Sequence, residues 1–244
     1  MGSDAAAVKD EEPGRAGLWE DFVDIFYAPS SVFARRSDGN FGMPLLFLVL
    51  VGTVLFFLTK GATQPIMDAE FTRQTAAMMR KNPNLTAEQM ASSRGFFEMI
   101  SPIFFAVGIT LSILGTGFVL WLVGKLFDAK EPVAAAIMVA TYSEVPRLVQ
   151  VLTNAAQGLV MSPEKLNSLN SVGFNLARFM DPDGSPVMIA LASRVDLFTI
   201  WVTVLLAIGL HVVGKIPKQQ AGIAAAITWV VGALPALLGA LRAG

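Results

Sequence analysis

Residues 43–60 read MPLLFLVLVGTVLFFLTK, an apolar run with no charge before Lys60. A helix rises about 1.5 Å per residue, so about 18 residues reach roughly 27 Å, close to the roughly 30 Å of a bilayer's hydrocarbon core. The run therefore reads as a membrane-spanning helix. Four further stretches read the same way: about 101–124, 132–160, 196–213 and 221–241. The expected fold is all-α, a polytopic membrane protein with a bundle of five transmembrane helices. It forms one membrane domain over residues 18–241, behind a small, polar, disordered tail at 1–17.

Composition agrees. Hydrophobic residues make up 54% of the 244 residues and charged residues 15%, against about 25% charged in soluble domains. The net charge of −1 gives no basic surface for nucleic acid. The absence of cysteine excludes disulfides and cysteine-held metal or thiol catalysis, and the single histidine, His211, excludes a multi-histidine metal site within one chain. Neither H-E-x-x-H nor G-x-S-x-G occurs, and the spans lack paired aspartates. A non-enzyme without a cofactor is expected. The first forty residues hold no apolar run suited to a signal peptide, so the first span is expected to direct insertion.

Between these spans, the residues 18–28 (LWEDFVDIFYA) place Leu18, Phe22, Ile25 and Phe26 on one helical face, with Glu20, Asp21 and Asp24 assigned elsewhere on the wheel. With Trp19 and Tyr27, this reads as an interfacial helix lying on the bilayer. Residues 61–100 read as a helical hairpin outside the membrane, broken at 82–84, with Thr86 and Gln89 forming a capping box and a stripe of Met67, Phe71 and Met78 packed on the bundle or interface. Gly108, Ser112 and Thr116 form a small-residue ridge suited to close helix contact. A turn cluster at 181–186 leads to a short helix at about 186–194. The connectors 125–131 and 214–220 are short, basic and close to span ends, which favours a cytoplasmic N-terminus, an extracytoplasmic C-terminus and helical loops outside the cytoplasm.

The third stretch carries the chemistry. Glu144 and Arg147 stand about midway along it, where an ionisable group costs at least about 2.5–3.5 kcal/mol, and their spacing of three lets them pair. Pro146 removes a backbone donor and leaves the Tyr142 carbonyl without its usual partner, so a kink is expected. Tyr142, Ser143, Glu144, Pro146 and Arg147 form a candidate intramembrane polar site for an ion, a lipid headgroup or a partner helix. The same residues also read as an internal ion pair fixing the packing across a kink, or as a segment near the membrane surface at a late helix start. Asp196 reads as an N-cap of the fourth span, and Pro235 with Gly232 as a kink in the fifth.

Three elements resemble the YIP family, the Ypt/Rab-interacting membrane proteins, in its bacterial branch. FVDIFYAPSSVF at 22–33 is similar to the family's Pro-x-x-x-Phe element, through Pro29 and Phe33. VATYSEVPRLV at 139–149 resembles its Tyr-Ser…Pro element. DLFTIWVTVLLAIGL at 196–210 resembles its Asp-x-Phe-x-x-Trp element, through Asp196, Phe198 and Trp201. The resemblance implies a non-enzymatic scaffold or adaptor in membrane organisation or trafficking, in a bacterial inner membrane. Membrane lipids are the expected partners, along with other membrane proteins or further copies of the chain. Eukaryotic relatives carry Asp-Leu-Tyr-Gly-Pro before the first span. Asp24-Ile25-Phe26-Tyr27-Ala28-Pro29 departs from it, which speaks against Rab-type GTPase binding. The alternative is a small transporter or ion pathway built on the polar, proline-broken third span.

Overall fold

The computed structural model describes residues 17–82 and 84–243. Apart from Gly17, the expected tail lies outside the described residues, as does Pro83 of the expected break. The described chain forms α1 (Leu18–Asp24), α2 (Pro29–Arg35), α3 (Gly42–Lys81), α4 (Ala87–Lys125), α5 (Val133–Ser143), α6 (Pro146–Val160), α7 (Pro186–Arg194), α8 (Leu197–Gly214), α9 (Lys218–Val231) and α10 (Leu234–Ala243). Short 3-10 turns fill the segment between α6 and α7. Among the described residues the only β pairing is an isolated bridge between Asn175 and Asp196.

Four helical stretches are long and apolar enough to cross a membrane: Gly42–Lys81, Glu88–Lys125, Leu197–Gly214 and Lys218–Arg242. The expected third span is not among them. The third arrives as two helices of 11 and 15 residues, α5 and α6, parted at Glu144–Val145. The fifth is continuous in its apolar character but turns at Gly232–Ala233, just ahead of Pro235.

The segment 61–100 also differs from expectation. It forms a hairpin, but its two arms continue the first two spans without a break, through Pro65 and Pro102. α3 has 40 residues, about 60 Å at about 1.5 Å per residue, roughly twice a hydrocarbon core. Helix formers such as Ala, Met, Gln, Glu, Arg and Lys between 66 and 81 carry the helix onward past Pro65. Thr86 closes the far end as read: its Oγ1 accepts from the Gln89 N–H at 3.2 Å, and Gln89 Oε1 accepts from the Thr86 N–H at 3.0 Å. Arg94 bonds Asp68 across the hairpin and sits 5.0 Å over the Phe71 ring. Of the expected stripe, Met67 and Met78 are exposed and Phe71 is half-buried.

α5 is the central element. VAAAIMVATYS is apolar nearly all round, the pattern of a helix buried on every side, and eight of its residues, from Ala135 to Ser143, are buried. Glycines on its neighbours admit it. A Cβ on Gly117 of α4 would lie 2.6 Å from Ile137 Cα, and one on Gly209 of α8 would lie 2.3 Å from Val139 Cγ1. The close contact of α4 is thus made by Gly117. Gly108 of the expected ridge and the adjacent Gly115 have nothing within 4 Å of a built Cβ.

α1 and α2 pack on this bundle. Phe22, Ile25, Val32 and Phe33 are buried in the main core. The apolar face expected to lie in the bilayer is turned onto protein instead, while Trp19 and Tyr27 are exposed. Asp21 also departs from expectation. Residues 18, 21, 22 and 25 share one helical face, and Asp21 is fully buried within it. The connectors 126–132 and 215–217 and the start of α5 mark one end of the bundle, the connector end. The segment 161–195, α7 and α10 mark the opposite, loop end.

Candidate functional site

The five residues of the expected polar site do not form one site. Successive residues on a helix point about 100° apart, and the turn at Glu144–Val145 separates them further. Tyr142 is fully buried and its hydroxyl lies 3.4 Å from Asp21 Oδ2. Arg35 Nη2 donates to Asp21 Oδ1 at 2.7 Å and Arg36 Nε to Asp21 Oδ2 at 2.6 Å. A buried carboxylate is tolerable only when its oxygens are satisfied, and here two guanidiniums and a phenol surround it. This cluster, missed from sequence, fastens α1 and α2 to α5. Its signal was a carboxylate inside an apolar stripe.

Ser143 is buried in the core, and its Oγ has no hydrogen-bond partner among the described residues. Pro146 opens α6, and the Tyr142 carbonyl is not left bare: the Val145 N–H donates to it at 3.2 Å, a tighter turn replacing the lost bond. Glu144 and Arg147 do meet, at 2.5 Å between Oε2 and Nε. Arg147 Nη1 also donates to Gln150 Oε1 at 3.1 Å. Glu144 is nearly buried, whereas the Arg147 side chain keeps 32% exposure.

The exposed part of Arg147 borders a cavity of about 100 Å³. Its walls carry Glu144, Arg194 from α7, Ser112 and Thr116 from α4, Thr199 and Thr203 from α8, and Thr228 and Trp229 from α9. Two residues of the expected small ridge thus line a polar cavity. Arg194, missed from sequence, donates from Nη2 to the Trp229 carbonyl at 2.7 Å and lies over the Trp229 ring. No local pattern announces it, because α7 and α9 meet only in three dimensions.

The family-like residues cluster on one flank. Pro29 is the first residue of α2, and Phe33 is fully buried behind it. Phe26 meets Trp201 edge-on at 5.4 Å, and Trp201 stacks with Phe198 at 6.4 Å. Asp196 caps α8 as read, its Oδ1 accepting from the Thr199 N–H at 2.9 Å, and Gln150 Nε2 reaches the same oxygen at 3.4 Å.

A second buried acid lies at the connector end. Glu131 is 2% exposed, and neither carboxyl oxygen has a hydrogen-bond partner among the described residues. A Cβ on Gly124 or on Gly214 would come within 2.8 Å of one of these oxygens. Burial pushes the Glu131 carboxyl above the usual carboxylate range, against the opposing pull of its own N–H and of Lys125. Among the described residues no group of three or more His, Asp or Glu is placed to hold a metal ion.

Apolar helices long enough to cross a bilayer, a buried central helix broken at a charged pair, and an N-terminal helix pair locked by a buried carboxylate define a multi-pass α-helical membrane protein. The Yip1 domain family model matches residues 23–239, nearly the whole chain, and the chain belongs to that family. No curated protein and no solved structure matches it.

Proposed function

We propose that this chain is a non-enzymatic membrane scaffold or adaptor of the YIP type, serving membrane organisation or trafficking in a bacterial cell membrane. The observation that carries the reading is the Glu144–Arg147 pair. Its two members satisfy each other at 2.5 Å within one turn, and Gln150 takes a further guanidinium donor. Glu144, with Nε and Nη1 of Arg147, holds the break between α5 and α6. The cavity beside them is small, about 100 Å³. What supports the adaptor reading further is the locked N-terminal pair, which presents Trp19 and Tyr27 at a fixed place on the bundle.

In this reading α5 and α6 together complete a fifth crossing. The connector end faces the cytoplasm with the N-terminal pair, and the C-terminus lies outside. The partners are membrane lipids, other membrane proteins or further copies of the chain. A GTPase partner is disfavoured by Ala28, which stands at the glycine of the eukaryotic relatives' element.

A double-mutant cycle on the purified protein in native-like lipid tests this reading. Glu144→Gln and Arg147→Met are each expected to lower stability by about 1–3 kcal/mol, and the double variant to recover most of the loss. If both single variants keep parental stability, the pair is not structural and the scaffold reading loses its main support.

A further inference from the structure

We propose that the cavity between α4, α8 and α9 binds the phosphate group of a membrane lipid, entering from the side of the bundle. The argument begins with unmet donors. Arg147 spends Nε on Glu144 and Nη1 on Gln150, which leaves Nη2 without a partner among the described residues. Arg194 spends Nη2 on the Trp229 carbonyl, and its Nη1 and buried Nε have none. The hydroxyls of Ser112 and Thr116 add two groups with no protein partner among the described residues.

Acceptors are scarcer. Glu144 is the one carboxylate in the wall, and Arg147 already engages it. Asp196 lies one turn away, its Oδ1 bonded to the Thr199 N–H and its Oδ2 unpartnered. Its charge is balanced in part by the positive end of the helix it caps. Arg147 and Arg194 both line the cavity, so an anionic group there would meet two guanidiniums with N–H positions still free. Guanidinium geometry matches phosphate oxygens, and a cavity of about 100 Å³ has room for such a compact group.

The mouth says where the phosphate comes from. Ser112 and Gly232 at the rim are exposed, and the residues beside them, Leu111 and Val230, are large, apolar and exposed. Exposed Val107 and Phe118 share the apolar face of α4 that carries Leu111. Acyl chains lie along such a surface. A lipid can therefore seat its head in the cavity and keep its tails in hydrocarbon.

The test is thermal unfolding of the purified full chain in a neutral detergent, with added phosphatidylglycerol or with diacylglycerol of the same acyl chains. Phosphatidylglycerol is expected to raise the midpoint saturably by about 5 °C, and diacylglycerol to leave it in place. Ser112→Leu fills the mouth without touching a charge. It should keep the unliganded midpoint and abolish the shift. Arg194→Gln should also abolish it, and Ser112→Leu keeps the test decisive if that variant does not fold. Inorganic phosphate alone forms the second arm. An equal shift, again lost in Ser112→Leu, would confirm the phosphate site and assign it a soluble source. Equal shifts with diacylglycerol and phosphatidylglycerol, or an undiminished shift in Ser112→Leu, would overturn the proposal.

Discussion

Glu131 concentrates the residue-scale physics. Its carboxyl is wedged against two glycines at the ends of α4 and α8, with neither oxygen bonded among the described residues, so the charged form is costly there. The native pKa is raised above the unfolded value of 4.5. Its contribution to stability is therefore fully present below that value and is lost as pH rises through the native pKa. Glu131→Gln keeps the shape and removes the ionisation. The variant should lose this part of the decline with pH and be more stable than the parent at neutral pH. Thermal midpoints measured across a pH series check this, and an unchanged slope in the glutamine variant would count against it. Nothing in the local sequence distinguishes Glu131 from a solvated connector residue. Only the meeting of Gly124 and Gly214 around it does.

At the scale of elements, two glycines on α4 offer a direct comparison. Gly117 lets α5 approach until a Cβ would lie 2.6 Å from Ile137 Cα, which is backbone and cannot yield. Gly115, two residues earlier, has nothing within 4 Å. Both sit inside the same helix, so the gain in helix propensity on changing either to alanine is about the same, roughly 0.5–1 kcal/mol. Gly115→Ala should therefore stabilise slightly, while Gly117→Ala should destabilise by about 1–3 kcal/mol through overpacking. Unfolding midpoints in lipid would separate them, and equal shifts would remove the close α4–α5 contact from the account. The helix ends were well marked in sequence, as Thr86 and Asp196 show, because a cap is a local arrangement of a few residues. The continuation of α3 and α4 beyond their apolar runs was not, because composition changes there and helicity does not.

For the whole molecule, geometry fixes which segments share an end of the bundle. Lys130 lies at the connector end, where its N–H donates to the Gly214 carbonyl, and Asn84 lies at the tip of the long hairpin. α9 starts beside Lys130 and α10 ends near Arg242, so Arg242 belongs with Asn84. The chain has no cysteine, which makes single-cysteine labelling clean. With the proposed orientation, Asn84→Cys and Arg242→Cys should react with an impermeant maleimide in intact cells. Lys130→Cys should react only after permeabilisation, and the reverse pattern would invert the orientation. The sequence by itself determined the membrane class, most of the helices, their caps and the pairing of Glu144 with Arg147. These follow from hydropathy and from spacings of a few residues along one helix. The tertiary structure alone decided that Tyr142 serves Asp21, that Arg194 joins Arg147 at one cavity, and that α1 packs on protein. Those contacts join residues far apart in the chain, and no local periodicity encodes which faces will meet.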